Sequence, residues 1–383
     1  MPCAEFEGSR IGLEHTARKS AGRPGDRKAA GDFFMTELYE KIADVDNIIE
    51  AWDEIRLGRA EQDSFLRFTA DWPSLIYNAH NHLIWHSWRP DPDNNLSFWI
   101  REPKLRHITA PPLMDRLVHH AIIRQTLPRF QAYFTRSSYA CIKGRGTLKA
   151  VEGLQHLMIK TLAKYGTDFY EIDIDIKSYF ATINHKVVKY MIAKIIPEED
   201  VAELFFMIID SFDEGLPIGF LPSQHLANLI GSIIDHFISD ILGLDHIRYM
   251  DDIRLFAHTK EEARDILIAL DCLISGKMHQ AVSDKKTSVK HFKGSVSFCG
   301  YIVHPHYLRL KPESRKRSVR VMKKKMADYA EGRITAKQLH DTASSISARF
   351  DKVVDPVPSV IGDAFVMAGI CSERSMPYLT RPL

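Results

Sequence analysis

Tyr249-Met250-Asp251-Asp252 lies between two short runs, His246-Ile247-Arg248 and Ile253-Arg254-Leu255-Phe256. Runs of this kind around a tight turn read as a hairpin, and the turn puts both aspartates at its tip. Adjacent carboxylates repel one another, and a divalent cation is the usual remedy because it inverts the local charge logic. Taken alone, the pair also fits a merely acidic, solvated turn. The rest of the chain has to decide.

A second carboxylate cluster lies upstream, in Asp173-Ile174-Asp175-Ile176-Lys177-Ser178-Tyr179-Phe180. In a strand, Asp173 and Asp175 share one face and Ile174 and Ile176 the other. A strand ending in carboxylates near a carboxylate hairpin describes a two-metal phosphoryl-transfer site. Mg²⁺ suits it, since that ion takes hard oxygen ligands, typically one or two carboxylates plus substrate phosphates.

Bulk properties set the frame. The chain has 383 residues, 45% of them hydrophobic, enough for one large domain or two to three smaller ones. A formal net charge of +2 gives no global basic field, so charge has to be read locally. The five cysteines, Cys3, Cys141, Cys272, Cys299 and Cys371, are far apart and form no Cys-x-x-Cys pair. That favours a reducing compartment over a disulfide framework or a cysteine zinc site. No apolar run reaches the roughly 18 residues that span a bilayer, and the N-terminus lacks a signal-peptide core. The expectation is a cytoplasmic protein without a membrane partner.

Along the chain, residues 1–34 are rich in Gly, Ala, Arg and Ser and read as a disordered tail, with Met35 a second candidate start. Residues 36–60 carry Leu38, Ile42, Val45, Ile48, Ile49, Trp52 and Ile55 at helical spacing, which predicts one amphipathic helix. His80, His82 and His86 fit no zinc spacing and read as packing residues. Strands around a turn are expected from Phe98 to Ile108, and helices over 112–134, 148–162, 185–196, 223–241 (capped by Ser223) and 260–275. A buried strand is expected over 169–174 and short strands over 282–310. Between Arg309 and Lys325 there are nine Lys or Arg and one Glu. Lys316, Arg317, Arg320, Lys323, Lys324 and Lys325 interleave with Val319, Val321, Met322 and Met326, so one helix would carry an apolar and a cationic face. A solvated face and a surface for backbone phosphates are both open readings of it.

These segments, in this order, resemble reverse transcriptases. Asp175…Phe180 and Tyr249-Met250-Asp251-Asp252 resemble the A and C motifs. Lys104-Leu105-Arg106, followed by Asp115-Arg116-Leu117-Val118-His119-His120-Ala121, is similar to the fingers motif, and Ser138 to Thr147 to the one after it. Gly215-Leu216-Pro217-Ile218-Gly219-Phe220-Leu221-Pro222-Ser223-Gln224 resembles the B motif, and Phe298-Cys299-Gly300-Tyr301 the primer-grip turn. The resemblance covers roughly residues 65–325.

It implies an α+β right-hand polymerase fold. Residues 35–165 would form an N-terminal helix and fingers, 166–308 a palm of antiparallel sheet backed by helices with part of the fingers near 185–225, and 309–383 a basic helical thumb and tail. No nuclease extension is expected, because the stretch after the basic helix is too short for a typical domain. The implied activity is RNA-directed DNA synthesis from template RNA, a DNA or RNA primer and dNTPs.

Residue by residue, the resemblance implies that Asp175, Asp251 and Asp252, helped by the Ile176 carbonyl, hold two Mg²⁺ ions, with Mn²⁺ able to substitute. Asp173 is given a supporting role. Lys104 and Arg106 would meet triphosphate oxygens, and Phe180 would pack under the incoming sugar and exclude a 2′-hydroxyl. Lys286 would protonate departing pyrophosphate, or is a surface lysine. Ile218 and Gln224 line the nucleotide side. Tyr249, Met250, Cys299, Gly300 and Tyr301, with Lys316, Arg317, Arg320, Lys323 and Lys324, would meet nucleic acid.

Most of the family carries Gln-Gly and Ser-Pro in the B motif, where this chain has Ile218-Gly219 and Ser223-Gln224. That form, with the Asp-Arg-Leu-Val-His-His stretch, is similar to reverse transcriptases of bacterial diversity-generating retroelements. Those copy RNA with frequent errors at adenines and work with a small helical accessory protein. Antiphage reverse transcriptases, working with a structured noncoding RNA, share the motifs. Ser344-Ser345-Ile346-Ser347-Ala348-Arg349-Phe350 departs from the Ser-Trp-x-Gly-His stretch expected of the first group. An inactive RNA-binding scaffold is the reading from another class.

Overall fold

The computed structural model describes residues 35–57, 71–101 and 104–369. The expected disordered tail over residues 1–34 lies outside them.

The sheet that carries the aspartates organises the rest. β3 (Tyr170–Asp175), β4 (His246–Tyr249), β5 (Asp252–Ala257) and β6 (Ser288–His291) pair antiparallel in the order β4-β5-β3-β6. The period-2 pattern of β3 is what seats it. Ile172 and Ile174 are fully buried, whereas Glu171 and Asp173 on the opposite face are half-buried. Each such isoleucine stabilises the fold by about 1.5–3 kcal/mol, which fixes the register, since a one-residue slip would put carboxylates into the core. β1 (Leu96–Arg101) and β2 (Leu105–Ala110) form a separate hairpin, and β7 (Val296–Phe298), β8 (Tyr301–Val303) and β9 (Leu308–Leu310) a third antiparallel sheet.

Helices surround this sheet. α1 (Glu37–Ala43) and α2 (Val45–Arg56) replace the single helix expected over 36–60. The chain turns extended at Asp44 (ψ 136°), an ordinary helix-start residue. Buried Asn47 takes up the interruption by donating to the Ile42 and Ala121 carbonyls at 3.0 and 3.1 Å. α3 (Trp72–Ile84) carries His80 and His82. His80 bonds the Ala43 carbonyl (2.7 Å), His82 the Ser87 hydroxyl (2.9 Å), and His86 stacks on Tyr39. α4 (Leu113–Tyr133), α5 (Thr147–Tyr165) and α6 (His185–Ile195) fall close to their expected spans. α7 (Glu199–Asp210) was not anticipated.

α8 (Leu221–His236) begins two residues before Ser223, with Pro222 in the first turn, where a missing N–H is harmless. Ser223 is therefore a buried residue inside the helix rather than its cap. The helix ends in a wider turn over Phe237–Ile241. α9 (Lys260–Gly276) follows the hairpin, and α10 (Pro312–Ala330), α11 (Ala336–Ser347) and α12 (Ser359–Met367) close the chain.

The core is in two parts. One joins α1–α4 and α6–α9 to one face of the four-stranded sheet. The other joins α5, the β7–β9 sheet and α10–α12 around Phe169, Phe256 and Phe292. Among the described residues, Cys141 and Cys299 are free thiols. No helix among the described residues is long and apolar enough to cross a membrane.

Candidate active site

β3 and β5 bring the two acidic segments together. Asp175 is the cross-strand partner of Asp252, and Asp173 that of Arg254. Met250 makes the turn of the β4–β5 hairpin with φ +58°, a left-handed conformation uncommon outside glycine. The turn is tied to β3, because the Ile176 N–H donates to the Asp251 carbonyl at 3.3 Å. The loop after β3 is tied down as well. The Ser283 N–H donates to the Asp175 carbonyl at 2.8 Å, and the Thr287 hydroxyl accepts from the Asp175 N–H at 3.3 Å.

The carboxylates here are short of positive charge. Burial pushes Asp252 up to about 6, helped by Asp173, Asp251 and Asp175, against the pull of Arg254. Burial also raises Asp251, with Asp175 adding to it and Lys286 and Lys104 opposing. Asp173 and Glu171 are raised, chiefly by burial. Two cations answer part of this charge. Lys286 Nζ pairs with Asp175 Oδ1. Arg254 pairs with both Asp173 and Asp252, reaches Glu171 at 3.5 Å, and lies over the Phe298 ring at 5.3 Å. The supporting role expected of Asp173 thus has a concrete partner in Arg254.

This donor set suits a hard divalent cation: carboxylate oxygens, a neighbouring backbone carbonyl, and a local excess of negative charge. Among the described residues, no group of three or more His, Cys, Asp or Glu side chains is gathered as a ready-made metal cage. Asp175 and Asp252 instead face Lys286 and Arg254.

The B-motif segment closes one side. The Leu216 N–H donates to the Phe180 carbonyl at 2.8 Å, and the Thr109 N–H of β2 to the Ile218 carbonyl at 2.8 Å. Two glycines permit these approaches. A Cβ on Gly215 (φ +64°) would strike the Phe180–Ala181 backbone, and one on Gly219 (φ +125°) would land on the Thr109 carbonyl. Phe180 and Ile218 are half-buried, and Gln224 is exposed on α8. Lys104 and Arg106 are exposed on the β1–β2 hairpin, and the Lys104 charge opposes part of the rise that burial gives Asp251.

On the opposite side, the turn from β7 to β8 puts Cys299 (φ +47°) and Gly300 (φ +85°) next to the carboxylates, and burial, helped by the charge of Asp252 and Asp251, raises the Cys299 thiol. The Tyr249 hydroxyl accepts from Thr147 Oγ1 at 3.2 Å, and Met250 packs against the first core. The Tyr301 ring is 5% exposed inside the second core, because strand alternation turns it inward. On α10, Lys316, Arg320, Lys323 and Lys324 are exposed and Arg317 half-buried, while Ser318 and Met322 face the core.

The match to the family model settles the relationship. A model described as reverse transcriptase (RNA-dependent DNA polymerase) matches residues 92–303. The chain belongs to the reverse transcriptase family. Its antiparallel sheets and surrounding helices are the right-hand polymerase fold of those nucleotidyltransferases, and the family typically uses divalent metal ions. A search of curated protein sequences finds no match.

Similar solved structures include apo telomerase from Candida tropicalis truncated of its C-terminal domain, at 16% identity and TM-score 0.46 over 63% of this chain and 60% of that one. Telomerase from Candida tropicalis in complex with a TWJ fragment of telomeric RNA gives 13% identity and TM-score 0.48 over 80% and 59%. The Candida albicans telomerase complex with the same kind of fragment gives 11% and 0.46 over 72% and 60%. This reverse transcriptase chain therefore covers about three fifths of those telomerase chains.

Sequence reasoning missed Arg254 and Thr147 in this reverse transcriptase. A lone arginine inside the apolar run Ile253–Phe256 was the available signal for the first. Thr147 carried no such mark beyond its place after Gly144-Arg145-Gly146.

Proposed function

We propose that this chain is an RNA-directed DNA polymerase in which the primer 3′-hydroxyl attacks the α-phosphate of a dNTP and pyrophosphate leaves. The observation that carries the proposal is the register of β3 and β5, with Asp175 opposite Asp252 and Asp251 at the adjoining tip. Two Mg²⁺ ions (or Mn²⁺), held by Asp175, Asp251, Asp252 and the Ile176 carbonyl, would activate the attacking oxygen and offset charge on the leaving one.

The chain's own groups do the rest by position and charge. Lys104 and Arg106 on the β1–β2 hairpin neutralise triphosphate oxygens. Phe180, its backbone clamped to Leu216, excludes the 2′-hydroxyl. Lys286, beside Asp175, supplies a proton to pyrophosphate. Residues 35–165 act as N-terminal helix and fingers, 166–308 as palm and 309–383 as thumb. The exposed lysines and arginines of α10 run along the template–primer, and an A-form-like hybrid is read through shape and sugar contacts.

The biological setting we favour is error-prone cDNA synthesis in a bacterial diversity-generating retroelement, with a small helical accessory protein. The support is Ile218: its carbonyl is anchored to β2, and its side chain has no donor or acceptor to read a base. Apolar contact discriminates weakly, whereas polar readout supplies the large factors. The Ser344–Phe350 stretch departs from the pattern of the diversity-generating group, and an antiphage enzyme with a structured noncoding RNA is the second reading.

Primer extension on an RNA template with Mg²⁺, followed by cDNA sequencing, tests both levels. Wild type is expected to make DNA with errors concentrated at template adenines, and Ile218→Gln to reduce them. An unchanged adenine error rate in the variant removes the fidelity argument. Tight RNA binding with no product from any primer would instead make the chain a scaffold.

A further inference from the structure

Behind the hairpin lies a second ionic cluster that the reaction does not touch. Arg248, Asp235 and Asn228 are fully buried and His246 nearly so. Asp235 accepts from Arg248 through both oxygens, Nε to Oδ1 at 2.8 Å and Nη2 to Oδ2 at 2.7 Å, and His246 Nε2 bonds Oδ1 at 2.9 Å. The remaining guanidinium hydrogens reach Ser138 Oγ (2.9 Å), Asn228 Oδ1 (3.3 Å) and the Asn228 carbonyl (3.4 Å), and Nη1 donates to the Met250 carbonyl at 3.2 Å.

α8 is shaped around this group, since a Cβ on Gly231 would overlap the guanidinium. The Arg248 backbone is clamped too, donating to the Ser137 carbonyl (2.8 Å) and accepting from the Tyr139 N–H (3.1 Å).

We infer that Arg248 is the positioning residue that sets the Met250 turn, and through it the placement of Asp251 and Asp252. The inference rests on the polymerase reading of the site. A buried ion pair is weak as a source of stability, because packed apolar side chains often serve as well. An apolar side chain could not hold a carbonyl. Met250 is in a left-handed conformation that a non-glycine residue keeps only when its surroundings over-determine it. The Met250 carbonyl belongs to the peptide that leads into Asp251, and the Asp251 carbonyl in turn receives the Ile176 N–H. A rigid line thus runs from α8 through Asp235 and Arg248 to the turn and across to the end of β3. It touches neither dNTP nor template–primer, so at saturating cation its loss should fall on turnover, through the placement of Asp251 and Asp252.

The test is Arg248→Lys in the full chain. Lysine keeps the charge for Asp235 but loses the planar fork that also reaches Met250. Two readouts are taken, primer-extension kinetics per active site and amide hydrogen exchange of peptides spanning 246–257. We expect kcat to fall about ten- to a hundredfold, with KM for dNTP and template–primer within about twofold of wild type. Exchange at the turn should rise about tenfold while β6 keeps its protection. Unchanged kcat and unchanged turn exchange would overturn the inference, as would a rise in KM with kcat preserved.

If Arg248→Lys does not fold, Ser138→Ala, which removes a single acceptor, carries the test. It should lower kcat about threefold at constant KM, and an unchanged kcat would contradict the inference. A wild-type chain that makes no DNA defeats the polymerase reading. The exchange readout does not depend on catalysis, so it separates that failure from this one.

Discussion

Two ionic clusters meet on either side of one hairpin, and they are built in opposite ways. Behind it, Asp235 is closed off by Arg248 and His246. Burial alone would raise its carboxyl, yet the Arg248 charge and the hydrogen bonds from His246 and Arg248 hold it well below the usual range. In front, Asp175, Asp251 and Asp252 share two cations with Asp173 and Glu171, and the Asp252 carboxyl is pushed up to about 6. Charge compensated on the spot gives a fixed structural element. Charge left partly uncompensated beside an open surface gives a place where cations and phosphates can add.

The largest effect expected from this contrast is on activity. Asp175→Asn should lower primer extension on the order of 10³-fold or more, with thermal stability near wild type. Loss of folding with activity retained per folded molecule would erase the distinction. The rear cluster should behave in reverse. Asp235→Ala leaves Arg248 buried and unpaired, at a cost of about 3–5 kcal/mol in urea unfolding. A cost near zero would mean that water reaches the guanidinium.

How much of this could be read in advance follows from the kind of signal each part carries. The hairpin, β3 and the meeting of Asp175 with Asp252 were legible, because period-2 alternation and adjacent carboxylates are local patterns. Arg254 and Arg248 were not. Their partners are set by strand register and by α8, and the sequence shows only two arginines within apolar runs. The break at Asp44 was hidden because apolar spacing continues across it, and only buried Asn47 makes it affordable. The inward turn of the Tyr301 ring was not legible, because motif position says nothing about which face of β8 the ring takes.

A smaller effect separates the clusters by pH. The folded Asp252 carboxyl titrates near 6 and the unfolded one near its ordinary 3.8, so the native chain binds more protons in between. Its contribution to stability is present in full below about pH 4 and is lost as pH rises through 6. Stability of the metal-free chain should therefore decline across that window, Asp252→Asn should remove part of the decline, and added Mg²⁺ should flatten it. A carboxyl already ionised at pH 4 would show no such difference. Asp235, held well below its ordinary value in the folded chain, should add an opposite, rising slope near pH 4 that has faded by pH 6.

The smallest effect concerns the basic helix. Lys316 and Lys324 are exposed on α10 and would meet phosphates without choosing a sequence. The double change to alanine should reduce the slope of log affinity against log salt by about 1.5–2, similarly for unrelated template–primers. An unchanged slope would assign that face to solvent.

The central claim is that the front of the hairpin lacks positive charge which divalent cations supply, while the back does not. Counting Mn²⁺ bound to the chain by electron paramagnetic resonance, at pH 6 and pH 8, for wild type and Asp251→Asn, tests it most directly. The account predicts that wild type binds the ion more tightly at pH 8, where Asp252 is ionised, and that Asp251→Asn loses that binding. Equal binding by the two proteins, or none by wild type at either pH, would contradict it.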